Sequence, residues 1–289
     1  MPADYASTTP LRANLEFPQG AFLTAYCKET RQADLSWRLM SIRRCAPFEI
    51  EPHTWGKELM GSLVLIPGLL CNRLLWSNQA PTLARNADVV VADLTRQETI
   101  AAMASAILEM APARFSLAGF SLGSQVALEI MRTAGDRVER LALLSATHGG
   151  LLPLVENALH HAIETIDQGG FNDYLEVAYP SYFSATRVHD PEMKSMFLEM
   201  AHSVGQEAGL RQMRALLTIQ GPFRNLEKIH CPTVVIGGAE DHRTTPAAHK
   251  ALAAEIPGSK LLLLEGAAHF TPLEAPNAVT EALDAWLTS

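Results

Sequence analysis

The sequence lacks an apolar stretch that could cross a membrane as a helix. Its longest apolar run, residues 63–70, is interrupted by Pro67 and Gly68 and is far shorter than the roughly 20 residues that a bilayer requires. The first twenty residues contain one arginine and no continuous apolar segment of the kind found in secretory signals. We therefore expect no membrane span and a cytoplasmic location.

Basic residues are also scarce. The chain has 23 Lys and Arg against 31 Asp and Glu, a formal net charge of −8 at pH 7, and its basic residues do not cluster. Nucleic acids and anionic membrane surfaces are bound by clustered Lys and Arg. Neither is therefore an expected partner.

Cysteine is sparse and widely spaced. The four cysteines are Cys27, Cys45, Cys71 and Cys231. They form no C-x-x-C pair and no zinc-like spacing with histidine, so we expect no metal site. In the absence of a secretory signal, reduced and mostly buried thiols are favoured over disulfides.

The remaining composition is typical of a globular protein, with 48% apolar and 19% charged residues in a chain of 289. Short apolar runs that indicate buried strands alternate with stretches of helical periodicity. The predicted strands are 62–66, 88–93, 115–118, 138–145, 233–236 and 260–264, and the clearest predicted helices are 98–110, 246–256 and 276–287. This alternation predicts an α/β fold with a mostly parallel sheet flanked by helices, which binds ligands at the carboxyl ends of its strands.

The strand pattern disappears in the middle of the chain, where helical periodicity takes over. We therefore predict a helical cap, residues 151–229, inserted into a core made of residues 60–150 and 230–289. Residues 1–59 form an N-terminal extension of uncertain role.

The most informative motif is Gly119-Phe-Ser-Leu-Gly123, a G-x-S-x-G between a predicted strand and a predicted helix. A sharp turn at this point exposes the hydroxyl of Ser121, and flanking glycines allow the close chain approach that the turn requires. The competing interpretation is that Ser121 is an ordinary helix N-cap. As a nucleophile, Ser121 would need a base within hydrogen-bond reach and an acid that orients the base.

His269 is the predicted base, because it follows the last predicted strand and should lie at the carboxyl edge of the sheet. His148, just past the fourth strand, is its only serious rival. Several other histidines are expected to be solvated or to lie in the N-terminal extension: His53, His160, His161, His189, His202 and His249.

Asp241 is the predicted acid. It follows the strand 233–236, and the chain order Ser121, Asp241, His269 is the one expected for this architecture. Glu240 is a competitor, and an ordinary turn aspartate is the alternative. The end of the preceding strand, residues 144–149, offers no carboxylate.

Position alone suggests the backbone N–H groups of Leu69 and Leu122 as the donors that would stabilise an oxyanion. Four cap side chains are candidates for lining an apolar acyl pocket, although packing within the cap is the competing interpretation. They are Tyr174, Tyr179, Phe183 and Met196.

These motifs resemble the α/β-hydrolase family, and more closely its small serine esterase-like branch, similar to pimeloyl-carrier-protein methyl ester esterases. The resemblance extends from about residue 60 to the end of the chain and is carried by residues 65–71, 118–123, 126–130, 137–141, 231–236, 238–241 and 266–276. It implies a cofactor-free hydrolase that cleaves a carboxylic ester of a small or medium acyl substrate, with a triad of Ser121, Asp241 and His269.

Other functions use the same fold and remain open at this point. The same triad can serve carbon–carbon bond hydrolysis, lactone opening, thioester cleavage or cofactor-free perhydrolysis. A non-enzymatic small-molecule receptor with a vestigial site is the alternative outside the enzymes.

Overall fold

A computed structural model of the protein describes residues 61–289. The extension predicted for residues 1–59, with Cys27, Cys45 and His53, lies outside the described residues. Within residues 61–289, no helix combines the length and apolar character needed to cross a bilayer. Of the predicted buried thiols, Cys71 is buried and Cys231 is half-buried, and both are free.

The described part of the chain contains one sheet of six parallel strands. The strands are β1 (Ser62–Ile66), β2 (Asp88–Val91), β3 (Phe115–Phe120), β4 (Val138–Leu144), β5 (Thr233–Gly238) and β6 (Lys260–Leu264). Their order across the sheet is β2-β1-β3-β4-β5-β6, and every neighbouring pair is parallel. The predicted parallel α/β sheet is thus confirmed.

Helices flank this sheet within the same residues. They are α1 (Ala80–Leu83), α2 (Ile100–Met110), α3 (Leu122–Ala134), α4 (Pro153–Asp167), α5 (Phe171–Ala178), α6 (Pro191–Val204), α7 (Gln206–Leu217), α8 (Pro246–Glu255), α9 (Thr271–Glu274) and α10 (Pro276–Thr288). Short 3-10 turns lie at Arg73–Trp76, Gly135–Arg137, Tyr179–Ser181 and Leu226–Lys228. Helices α4 to α7 all fall between β4 and β5, and we call them the helical insertion.

Both faces of the sheet are buried along its four central strands, β1, β3, β4 and β5, whereas the edge strands β2 and β6 are partly exposed. Successive side chains of a strand point to opposite faces, and in β1 Leu63 and Leu65 belong to one apolar cluster while Val64 and Ile66 belong to another. This explains why the central strands appear in the sequence as continuous apolar runs rather than as alternating patterns.

The order of the strands creates a crevice at the centre of the sheet. The chain runs from β1 outward to β2 and then returns to the other side of β1 as β3. At such a reversal the loops after the two strands diverge, and ligands bind between them. Leu69 follows β1 and Ser121 follows β3 at this point.

The prediction that His249 is a solvated residue is wrong. His249 lies on α8 and is fully buried, with 0% of its surface exposed. Its ring packs on the backbone of β5 at Gly237, where an added Cβ would lie 2.3 Å from Nδ1. Burial lowers the pKa of His249 to about 4, so the ring is neutral at pH 7.

Candidate active site

Ser121 occupies a strained turn between β3 and α3. Its backbone angles are φ 52° and ψ −112°, a conformation that residues other than glycine rarely adopt. Its N–H donates to the carbonyl of Leu144 at 2.9 Å. Ser121 is therefore not an ordinary N-cap, and its side chain makes no capping hydrogen bond to α3.

Two glycines make this turn sterically possible. A Cβ on Gly119 would lie 2.4 Å from the carbonyl oxygen of Gly123, and one on Gly123 would lie 2.3 Å from the carbonyl oxygen of Ile66. Ser124 adds a restraint, since its hydroxyl donates to the Gly119 carbonyl at 2.6 Å. The G-x-S-x-G spacing thus follows from the contact between the start of α3 and the end of β1.

The ring of His269 lies directly beside Ser121. His269 Nε2 is 2.9 Å from Ser121 Oγ, and its Nδ1 is 2.8 Å from Asp241 Oδ2. Because a carboxylate only accepts hydrogen bonds, Nδ1–H donates to Asp241, and in the neutral ring Nε2 accepts from the Ser121 hydroxyl. The structure therefore brings the three predicted side chains into one hydrogen-bonded series.

Asp241 is held as a buried carboxylate, with 1% of its surface exposed. Its Oδ1 accepts the N–H groups of Arg243 and Thr244, each at 2.8 Å. Burial by itself raises the pKa of this carboxyl, but the charge and hydrogen bond of His269 oppose it. Together with the two N–H donors they hold the pKa of Asp241 below its ordinary value.

The side chains of the other candidates for the base and the acid, His148 and Glu240, make no hydrogen bond with the series around His269. His148 pairs through Nε2 with Glu255 on α8, at 3.1 Å. Glu240 donates its backbone N–H to the carbonyl of Ala267 at 2.9 Å, but its carboxylate makes no hydrogen bond or ion pair with another described residue. Neither side chain joins the series around His269.

The two predicted oxyanion donors follow β1 and β3. Among the described residues, the N–H groups of Leu69 and Leu122 have no hydrogen-bond partner. The turn after β1 packs against the turn at Ser121, because a Cβ on Gly68 would lie 2.8 Å from the ring of Phe120. Free N–H groups near a nucleophile are what an oxyanion requires.

The four candidate pocket residues pack in or against the apolar cluster that joins the helical insertion to the sheet. Tyr179 and Phe183 are buried and also border a cavity of about 760 Å³ beside Glu240. Tyr174 and Met196 are half-buried and do not border it, and neither do Ser121 and His269. Contact of these four side chains with a substrate therefore stays a prediction.

Two side chains, Ser145 and Glu274, and the backbone carbonyl of Tyr182 hold the loop of His269, and the sequence reasoning assigned none of these roles. The Ser145 hydroxyl donates to the His269 carbonyl at 2.6 Å, and the His269 N–H donates to the Tyr182 carbonyl at 3.0 Å. Glu274 accepts the N–H groups of Ala268 and Ser184, at 3.0 and 2.8 Å. Burial raises the pKa of Glu274. In the sequence, the only sign of this role for Glu274 is that a carboxylate lies within the otherwise apolar stretch after His269.

Comparisons with known proteins identify the family of this chain. A sequence model described as the alpha/beta hydrolase family matches residues 63–282, most of the chain. The chain belongs to the alpha/beta hydrolase family. Among residues 61–289, the chain has no group of three or more His, Cys, Asp or Glu side chains arranged to hold a metal ion.

Relatives of this chain are named as hydrolases of different compounds. A provisionally named carbamate hydrolase, RutD of Klebsiella pneumoniae, is 29% identical over 172 residues, or 57% of this chain and 62% of the relative. The (E)-2-((N-methylformamido)methylene)succinate hydrolase of Acinetobacter baylyi is 25% identical, over 60% of this chain and 64% of that protein. Each match thus spans less than two thirds of the relative's length.

Solved structures show the same fold. A thermophilic esterase from Thermogutta terrifontis superposes on this chain with a TM-score of 0.72 and 25% identity, over 81% of this chain and 90% of the esterase. All three of these proteins are named as enzymes that catalyse hydrolysis.

Proposed function

We propose that this chain is a serine hydrolase that cleaves a carboxylic ester of a small or medium acyl substrate through a covalent acyl-enzyme. The observation that best supports the proposal is the unbroken series from Asp241 through His269 to Ser121, with distances of 2.8 and 2.9 Å. A serine hydroxyl is weakly nucleophilic at neutral pH, and this series supplies the base and the acid that activate it.

In the first half of the reaction, His269 Nε2 takes the hydroxyl proton while Ser121 Oγ bonds to the ester carbonyl carbon. The carbonyl electron pair moves to oxygen, and the resulting oxyanion accepts the N–H groups of Leu69 and Leu122. Asp241 stabilises the imidazolium. The tetrahedral intermediate then expels the alcohol oxygen, which takes the proton from His269 and leaves an acyl-Ser121 ester.

In the second half, water replaces the alcohol. His269 takes a proton from water as its oxygen bonds to the acyl carbon, and the second oxyanion uses the same two N–H donors. Collapse releases the carboxylic acid, and the proton returns from His269 to Ser121 Oγ. The cycle consumes one ester and one water and requires no metal or organic cofactor.

The test uses p-nitrophenyl acetate and butyrate together with a fluorophosphonate that labels activated serines. We expect wild-type protein to turn over at least one ester and to be labelled. The Ser121→Ala variant should lose labelling and at least about 10⁴-fold in kcat, because no other group replaces the nucleophile. Wild-type protein that neither turns over an ester nor is labelled would refute the proposal.

A matched pair of histidine variants distinguishes the proposed base, His269, from the other candidate, His148. His269→Gln should lose most of the turnover, whereas His148→Gln should stay near wild type, because His148 pairs with Glu255 instead. Equal losses in the two variants would contradict the role proposed for His269.

The substrate class is resolved by a panel of carbonyl compounds matched in the size of the acyl group. Esters, thioesters, lactones and aryl carbamates all present a carbonyl carbon to Ser121, and the carbamate arm follows the name of the Klebsiella relative. We expect the highest kcat/KM for an ester. A higher value for another class would reassign the substrate while keeping the serine mechanism.

A further inference from the structure

The turn after β1 carries an unusual backbone conformation one residue past the predicted oxyanion donor. Leu70 has φ 56°, in the left-handed region that leucine rarely adopts, and it is buried. The Cys71 N–H closes the turn on the Gly68 carbonyl at 3.1 Å, and the Cys71 thiol donates to the Leu69 carbonyl at 3.3 Å. Such a conformation persists only where the surroundings hold it.

A side chain from the helical insertion holds this turn. The Leu70 N–H donates to Gln212 Oε1 on α7 at 2.8 Å, and Gln212 Nε2 donates to the carbonyl of Leu94 at 3.2 Å. Gln212 is fully buried, with 0% of its surface exposed. Both ends of its amide are therefore engaged, which fixes the oxygen that Leu70 uses.

Helix α7 also contacts the turn directly. Gly209 lies one helical turn before Gln212, and a Cβ on Gly209 would lie 2.7 Å from Leu70 Cδ2. The missing side chain lets the helix approach closely enough for the Gln212 amide to reach the backbone of Leu70.

The arrangement separates two successive N–H groups. That of Leu70 points into the protein and is satisfied by Gln212, whereas that of Leu69 has no partner among the described residues. We propose that Gln212 is a positioning residue that holds residues 68–71 in the conformation that directs the Leu69 N–H at the oxyanion. This inference rests on the proposed function and adds a role for the helical insertion in the reaction.

The test compares Gln212→Met with Arg211→Met. Methionine matches glutamine in length but accepts no hydrogen bond of comparable strength from Leu70. Arg211 is the neighbouring residue on α7, and its Nε donates to the Thr95 carbonyl at 2.8 Å, so Arg211→Met removes a similar anchor without affecting the turn. Two quantities are measured: amide hydrogen exchange of Leu70 by NMR, and the kinetics of p-nitrophenyl acetate turnover and fluorophosphonate labelling.

We expect Leu70 to be protected in wild type and to exchange at least about tenfold faster in Gln212→Met. The same variant should lose about 10- to 100-fold in kcat and in the labelling rate, with KM changed less than about threefold, because the Leu69 donor acts on the transition state. Arg211→Met should match wild type in both measurements.

Three results would overturn the inference. The first is an unprotected Leu70 amide in wild type, a measurement that needs no variant to fold. The second is unchanged Leu70 exchange in Gln212→Met, and the third is faster exchange with turnover and labelling still at the wild-type level. Failure of the proposed function has a different signature: wild-type protein shows no serine reactivity, and the positioning role falls with it whatever the exchange data show.

Discussion

At the scale of single residues, two adjacent carboxylates differ in almost every physical respect. Asp241 is buried and accepts three hydrogen bonds, from His269, Arg243 and Thr244. Glu240 is partly exposed and has no such partner among residues 61–289. A buried, fully hydrogen-bonded carboxylate keeps its charge and its position, and both are needed to orient an imidazole.

This difference predicts unequal effects of removing each charge. Asp241→Asn should lower kcat/KM by about 10²–10⁴-fold, because an amide cannot favour the correct histidine tautomer or stabilise the imidazolium. Glu240→Gln should stay within about twofold of wild type. Steady-state kinetics with p-nitrophenyl acetate measures both, and equal losses would reassign the acid.

We predict that protonation of His249 contributes to the loss of folding stability at acidic pH. Burial lowers its pKa to about 4 in the folded protein, against 6.5 normally, and of the nearby titratable groups Asp241 raises this pKa and His269 lowers it. Between these values only the unfolded chain binds the proton. The stability from the neutral ring is therefore complete above about pH 6.5 and is lost as the pH falls towards 4, with a loss of about 2 kcal/mol between pH 7 and pH 5.

The check is urea unfolding at these two pH values for wild type and His249→Leu. Leucine keeps an apolar side chain beside Gly237 but cannot titrate, so the variant should lose less free energy of unfolding between pH 7 and pH 5 than wild type does. Parallel losses in the two proteins would assign the acid sensitivity to other groups.

At the scale of elements, the position of Ser121 depends on how closely α3 approaches the end of β1. Gly123 lies against backbone atoms of this strand end, since an added Cβ would lie 2.3 Å from the Ile66 oxygen and 2.6 Å from the Pro67 oxygen. Backbone atoms in the centre of a sheet cannot move aside as a flexible side chain can. The strand and the helix therefore set the place of the hydroxyl together.

Gly123→Ala should consequently destabilise the fold by about 1–3 kcal/mol and displace the turn at Ser121. Gly135→Ala, at the other end of α3, is the matched control. Gly135 has φ −59°, and an added Cβ there would meet only the flexible end of Met131 at 3.3 Å. Urea unfolding and fluorophosphonate labelling measure the two effects, and equal stability of the two variants would contradict this account of the turn.

At the scale of the whole molecule, the site is assembled from distant parts of the chain. Ser121 comes from β3, Asp241 and His269 from the loops after β5 and β6, and the helical insertion lies between them in sequence. We propose that residues 60–150 and 230–289 form the hydrolase core and residues 151–229 its cap. The bond from Gln212 to Leu70 joins this cap to the core across 142 residues of sequence.

The features that sequence reasoning could predict are those with local causes. Buried strands require apolar runs, helices require apolar periodicity, and the turn at Ser121 requires Gly119 and Gly123. Because the carboxyl ends of parallel strands meet at one edge, chain order was enough to select Asp241 and His269 as partners for Ser121. These constraints act over a few residues or follow from connectivity.

Other features depend on contacts between segments that are far apart in the sequence. The burial of His249 depends on Gly237 of the neighbouring strand. The hydrogen bond from the Leu70 N–H to Gln212 depends on how α7 lies against the turn after β1. A side chain that bonds to a backbone N–H leaves no pattern in either segment, because every residue carries that group except proline. Folding alone brings such pairs together, and it thereby decides which N–H groups of the described residues are hydrogen-bonded and which are not.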